Sequence, residues 1–262
     1  MQQAIVVLSG GQDSTTCLYW AITNDFGGAA GVHCITFDYG QRHRIEIESA
    51  KKIVRMANAF APVTHEIINV PRCLISMSPL TNSKVALEKY DNPEEMEKTI
   101  GNRRELTFVP MRNALFLTIA ANRAEAMGIP NVVTGVCQMD NANYDDCRQV
   151  FIDATEDYIN KALGHDHRGT TSIHIHTPLM DLDKAQTVQL ARRLPGCWDA
   201  LAYSHTSYDG CYPPTDNNHA NVLRADGFEK AGMPDPLVLR AWQEGLMALP
   251  ASANYNAYRS TV

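Results

Sequence analysis

Six consecutive residues, Ser9-Gly10-Gly11-Gln12-Asp13-Ser14, carry the chemistry of an anion site. Two adjacent glycines let the backbone approach a phosphate with no Cβ in the way, and Ser9 and Ser14 add hydroxyl donors at the rim. The apolar run Ala4-Ile5-Val6-Val7-Leu8 leads into this turn, and a helix is expected from Thr15. Backbone N–H groups and a positive helix end therefore converge on one point. Asp13 runs against that charge, because a carboxylate repels phosphate unless a cation such as Mg²⁺ lies between them. Two commoner phosphate loops are excluded: no lysine completes a Walker-type loop, and the third glycine of a dinucleotide fingerprint is missing.

A second group, Phe37-Asp38-Tyr39-Gly40-Gln41-Arg42-His43, follows the next strand-like run. In open α/β sheets ligands bind outside the carboxyl ends of the strands, so these side chains face the same crevice as the first loop. Arg112 and Asn113 follow Val109-Pro110 at another strand-to-helix junction, where a cation and an amide can meet a phosphate or a carboxylate.

The elements that must position these groups alternate. Ala4 to Leu8, Val32 to Phe37 and Val63 to Ile68 read as strands, with helices expected over Thr15 to Ile22 and Arg44 to Ala59. Residues 71 to 106 lose periodicity, as a flap or mobile loop does. Order returns at Leu106, followed by a helix from Asn113 to Met127, a buried strand Val132 to Val136 and a helix from Cys147 to Leu163. A short strand His174 to His176, a helix Lys184 to Leu194 and a last helix near Leu237 to Ala248 complete the reading. The pattern is α/β, a parallel sheet wrapped by helices on both faces. Composition shifts near Trp198, dividing the chain into a domain of residues 1–197 and a smaller C-terminal lobe of residues 198–262.

Bulk properties narrow the setting. The chain has 262 residues, 45% hydrophobic and 20% charged, with a net charge of −6, which is ordinary for a soluble globular protein and unlike one that wraps nucleic acid. No apolar stretch reaches the ~18 residues of a membrane span. Seven scattered cysteines with no Cys-x-x-Cys pair argue for a reduced, cytoplasmic protein.

The first loop resembles the SGGxDS loop of the PP-loop ATP pyrophosphatases. The succession SGGQDS, FDYGQRH, TFVPMRN, TGVCQMDNANYDDCR and HTPLMDLDK resembles the 7-cyano-7-deazaguanine synthase family along nearly the whole chain to residue 194. That resemblance implies a Rossmann-like fold of the adenine nucleotide alpha hydrolase type, a homodimer, and ATP with Mg²⁺. The implied reaction turns the carboxylate of 7-carboxy-7-deazaguanine into a nitrile with ammonia. It further implies that Ser9, Gly10, Gly11, Gln12, Asp13 and Ser14 hold the pyrophosphate end of ATP, with Phe37, Arg112, Asn113 and Gly135 nearby. Asp13 would share Mg²⁺, and Lys184 would neutralise the leaving pyrophosphate. Asp13, Arg112 and Lys184 are thus the expected catalytic set. Tyr39, Gln41, Arg42, His43, Asp140, Tyr144, Asp145 and Asp146 are expected to bind the deazaguanine. Which of those carboxylates reads the base edge stays open, and N-capping is a second role for Asp145 or Asp146.

Two departures stand out. The family's usual glycine between the proline and Arg112 is Met111. The family's four-cysteine zinc site falls on Ser207, Thr215, Asn218 and Asn221, none a thiolate, so structural zinc is not expected. His205, Cys211, Asp216 and His219 offer a different, irregularly spaced metal set. Divergence also leaves open an enzyme that stops at the amide, one that transfers the acyl group to an amine of a protein partner, and a nucleotide-binding module without turnover.

Overall fold

A computed structural model describes residues 3–24, 26, 31–70, 74, 76–139, 143–168 and 170–259. Asp140 and Cys73 lie outside the described residues. Five parallel strands form one sheet: β1 (Ala4–Val7), β2 (Val32–Asp38), β3 (Val63–Asn69), β4 (Asn131–Val133) and β5 (His174–His176), in the order β3-β2-β1-β4-β5. The direction of winding reverses between β1 and β4, which opens a crevice at their carboxyl ends.

The strand alternation decides the layers. Ala4, Val6 and Cys34 point to one face, and Ile5, Ile35 and Val132 to the other. The first face is covered by α1 (Gln12–Thr23), α2 (Ile45–Ala57) and, further along the chain, α7 (Lys184–Arg193) and α8 (Cys197–Leu201). The second is covered by α4 (Arg112–Met127) and α5 (Gln149–Leu163). The expected doubly covered parallel sheet is what the chain builds. Between these helices lie α3 (Pro93–Ile100) and the short α6 (His165–Arg168), and α9 (His219–Lys230), α10 (Pro236–Gln243) and α11 (Asn256–Arg259) follow.

Three element readings need correction. The segment 71 to 106 holds a helix, α3, whose start is chemically explicit: the Asn92 side chain accepts from Glu95 N at 2.8 Å and Pro93 occupies the first turn. Tyr90, Met96 and Ile100 form a small apolar cluster with Val222 of α9, so this segment packs on the C-terminal lobe. The strand expected over Val132 to Val136 ends at Val133, because the chain leaves the sheet for the crevice. The helix expected from Cys147 is a 3-10 turn, Asp145–Cys147, followed by α5. The proposed boundary at 198 falls inside α8, and Ala200, Leu201 and Phe228 share the apolar cluster of α1 and α7.

Two imidazoles stiffen the sheet. His65 Nε2 meets Thr36 Oγ1 at 2.8 Å, and His176 Nε2 meets Asn131 Oδ1 at 2.9 Å. Burial, and then neighbouring cationic groups, holds both pKa values below the ordinary histidine value. A folded pKa below the unfolded one means that the unfolded chain binds more protons, so stability rises with pH through that window. Unfolding midpoints in urea are expected to fall as pH drops from 7.5 to 5.5, and to fall less in His65→Asn and His176→Asn. Equal falls in variants and parent would contradict the assignment.

Candidate active site

The phosphate-type loop is locked by its own hydroxyls. Ser9 N donates to Ser14 Oγ at 3.1 Å, Gly11 N donates to Ser9 Oγ at 3.2 Å, and Ser14 Oγ donates to Gly11 O at 3.2 Å. Gly11 is the N-cap of α1, so the loop sits at the positive end of a helix of 12 residues. Gly10 adopts φ +92°, and a Cβ there would collide with the Glu46 carbonyl of α2. Gly135, beyond β4, approaches from the other side: a Cβ would lie 3.1 Å from both Asp13 C and Ser14 N. Two chain segments thus reach the loop only because glycine stands at each crossing.

The crevice opens into a cavity of about 310 Å³, within the usual range for small-molecule sites. At the loop end, Lys184 Nζ lies 2.9 Å from Asp13 Oδ2 and 3.2 Å from Oδ1. Asp183 starts α7 with a complete capping box, which fixes the residue that precedes the lysine. The Lys184 stem crosses α9 at Gly227, where a Cβ would sit 2.5 Å from Lys184 Cγ.

Arg112 and Asn113 enter from the first turn of α4. Asn113 Nδ2 donates to Asp146 O at 3.0 Å and anchors the turn after β4. Burial opposes the Arg112 charge, but Tyr39, Tyr144 and Asp146 around it hold its pKa above the usual guanidinium value. Met111, the departure from the family pattern, adopts a left-handed conformation that favours glycine, φ 63° and ψ 9°, with its side chain 69% exposed. The turn before α4 therefore places a non-glycine residue in an unfavourable backbone region.

Aromatic walls line the rest. Phe37 stacks on Phe116 with centroids 4.0 Å apart at 6°, and Tyr39 leans on the same ring at 5.4 Å. Burial pushes the Tyr39 and Tyr144 phenols up, so both stay neutral. The Tyr144 hydroxyl donates to the buried Glu105 carboxylate at 3.0 Å. From the C-terminal lobe come His205, Tyr208, His219 and Arg224. His205 N donates to Gly10 O at 2.9 Å, tying the lobe to the loop.

Most of the residues expected from sequence meet here. Ser9, Gly11, Gln12, Asp13, Ser14, Phe37, Tyr39, Gln41, His43, Arg112, Asn113, Gly135, Tyr144 and Lys184 all line the cavity. Four do something else. Gly10 supports the loop from behind. Arg42 turns outward to Asp209 Oδ1 at 3.2 Å. Asp145 pairs with Arg104 at 2.9 Å in a side recess. Asp146 is buried behind Asn113, and burial, against the pull of Arg112, raises its carboxyl pKa. Gln41 lines the cavity yet spends its amide on its own turn, accepting from Tyr39 N at 2.9 Å and donating to Phe37 O at 3.1 Å. Glu46, Phe116, Tyr208 and Arg224 were not expected. Glu46 alone carried a signal, lying three residues beyond His43 on the first turn of α2.

Residues 3–232 match the family model described as queuosine biosynthesis protein QueC. The chain belongs to this family. It is 44% identical over 244 residues to the 7-cyano-7-deazaguanine synthase of Chromobacterium violaceum, covering 93% of this chain and 96% of that one. It is 46% identical over 240 residues to that of Laribacter hongkongensis, covering 91% and 95%. Among solved structures, NMN synthetase from Francisella tularensis aligns with a TM-score of 0.41 and 14% identity, over 97% of this chain and 80% of that one.

The positions aligned with the family's thiolates are built differently. Asn218 caps α9 by accepting from Asn221 N at 3.1 Å. The Asn218 and Asn221 side-chain amides both donate to the Asp216 carboxylate, and Ser207 Oγ accepts from Cys211 N at 3.4 Å. A hydroxyl and amide donor set does not fit zinc. Deeper in the lobe, Arg224 forms a two-pronged pair with Asp235, at 2.6 Å and 2.8 Å, with side chains 4% and 6% exposed. Its other nitrogen reaches Ser204 Oγ at 2.8 Å. Arg224→Ala leaves Asp235 buried without a counter-charge and is expected to cost about 3–5 kcal/mol. Denaturant unfolding measures this, and a loss under about 1 kcal/mol, the range of an exposed pair, would contradict the assigned role.

Proposed function

We propose that this cavity is where the chain carries out its family's reaction, the ATP-dependent conversion of 7-carboxy-7-deazaguanine to 7-cyano-7-deazaguanine, with ammonia as nitrogen donor. The observation that carries the reading is that a single cavity joins an anion-binding loop, with Asp13 and Lys184 at its edge, to a slot walled by aromatic rings. The first suits a triphosphate and the second a planar heterocycle.

A carboxylate is a poor electrophile with a poor leaving group, so its oxygen attacks the α-phosphorus of ATP and pyrophosphate leaves. Ammonia adds to the acyl carbon, and AMP departs with the bonding electron pair, leaving the amide. A second ATP activates the amide oxygen. Loss of AMP and the remaining protons gives the nitrile. The loop N–H groups of Gly11 to Ser14 hold the pyrophosphate, and Lys184 offsets its charge as it leaves. Arg112 steadies the reacting carboxylate. Asp13 is placed to share a magnesium ion brought with ATP, which would offset phosphate charge there. The aromatic walls keep out water that would hydrolyse the adenylate. His43 and Gln41 act by shaping the turn beside the slot, and Arg42 by fastening it to Asp209.

The C-terminal residues 198–262 serve as a lobe that closes the cavity, held by the Asp216 amide network and the Arg224–Asp235 pair in place of zinc. No described helix is long and apolar enough to cross a membrane. The six described cysteines are free thiols, which suits the cytoplasm.

Purified protein with Mg-ATP, 7-carboxy-7-deazaguanine and an ammonium salt, followed by mass spectrometry, is expected to yield AMP and the nitrile. Asp13→Asn is expected to lose at least about 100-fold in AMP formation with the fold intact. AMP without any nitrogen-containing product, or undiminished activity in Asp13→Asn, would contradict the reading. Prolonged dialysis against a zinc chelator is expected to leave the unfolding temperature unchanged. Recovery of one zinc per chain, with loss of stability on its removal, would show that the lobe is metal-held after all.

A further inference from the structure

Among the described residues, two carboxylates line the cavity, Asp13 and Glu46. Asp13 is committed to the phosphate end through Lys184. Glu46 is differently placed. Its Oε2 lies 3.1 Å from Nε2 of His43, whose side chain is 3% exposed, while the Glu46 side chain retains 14% exposure toward the cavity. Its Oε1 accepts from none of the described residues. The backbone of Glu46 is registered against the phosphate loop, since its carbonyl fills the space that a Cβ on Gly10 would need. The Tyr208 ring, 5.4 Å from the His43 imidazole, holds the pair from the lobe side.

The proposed substrate presents two adjacent donors, a ring N–H and an exocyclic amine, on one edge of its amino-pyrimidinone ring. Two such donors match the two oxygens of one carboxylate. Of the acids expected from the sequence, Asp145 pairs with Arg104, the Asp146 side chain is not among the cavity's walls, and Asp140 lies outside the described residues. We infer that Glu46 reads the amino-pyrimidinone edge of the deazaguanine, with His43 fixing the plane of its carboxylate. This rests on the synthase reading of the cavity and adds to it the residue that selects the base.

The test compares 7-carboxy-7-deazaguanine with its analogue lacking the 2-amino group, by equilibrium binding and by kcat/KM, in the parent, Glu46→Gln and Glu46→Asp. The parent is expected to prefer the amino compound by about 100-fold, since hydrogen bonds to a charged acceptor are among the stronger ones. In both variants the preference is expected to shrink by about tenfold or more, through KM, while the KM for ATP stays put. The aspartate variant keeps the charge beside His43 and so guards against a folding defect in the glutamine one. An unchanged preference would overturn the inference. So would a rise in ammonium KM alone, which would make Glu46 a nitrogen-donor site, or, with Asp140→Asn run beside these variants, a collapse of preference confined to it. Because binding is read apart from turnover, a parent that discriminates but forms no AMP would sink the synthase reading and leave Glu46 as the base reader.

Discussion

The structure depends on a close convergence of backbone at the point where the sheet changes its direction of winding. The phosphate-type loop leaves β1, the chain after β4 presses on Asp13 and Ser14 through Gly135, and the first turn of α2 presses on Gly10. A Cβ on Gly10 would collide with the Glu46 carbonyl, and one on Gly135 would force its neighbours apart. What the convergence produces is a small concentration of N–H donors at the start of α1, with Asp13 and Lys184 at its edge.

Asp13 and Lys184 express this constraint most directly. They come from opposite parts of the chain and meet at 2.9 Å at the mouth of the loop. The lysine is held by packing as much as by charge: its stem lies across Gly227 of α9, so a helix later in the chain bears on the position of the Asp13 partner. The backbone bond from His205 to Gly10 reinforces that link. The lobe is therefore coupled to the phosphate end, and its Asp216 amide network and buried Arg224–Asp235 pair bear on the site although they do not touch the phosphate loop.

The parallel sheet, the strands along the chain and the loop end of the cavity were legible in the sequence because each rests on a local pattern: an apolar run, a glycine pair, a residue at a strand end; helices α8 and α9 were not read. Arg112 and Asn113 were legible for the same reason, whereas Lys184 entered only through the family resemblance. The lobe's contribution was not, since Tyr208 and Arg224 reach the cavity through tertiary packing that no local spacing announces. Asp145 and Asp146 misled because an acidic pair beside a loop carries the same composition whether it faces a ligand, an arginine or the interior. Helix α3 was overlooked because it is only two turns long, although Asn92-Pro93 with Glu95 spelled out its start. Met111 reveals the opposite limit: its place in a pattern that favours glycine did not announce that a methionine would take the left-handed conformation.

With Gly11 to Ser14 seating the pyrophosphate end of ATP, Lys184 is expected to exchange Asp13 for phosphate. A crystal structure with magnesium and an ATP analogue that resists cleavage between the α and β phosphates tests this most directly. The β and γ phosphates are expected against the loop N–H groups, with the Lys184 ammonium on phosphate oxygen rather than on the Asp13 carboxylate. A nucleotide bound elsewhere, with the Asp13–Lys184 pair undisturbed, would contradict it.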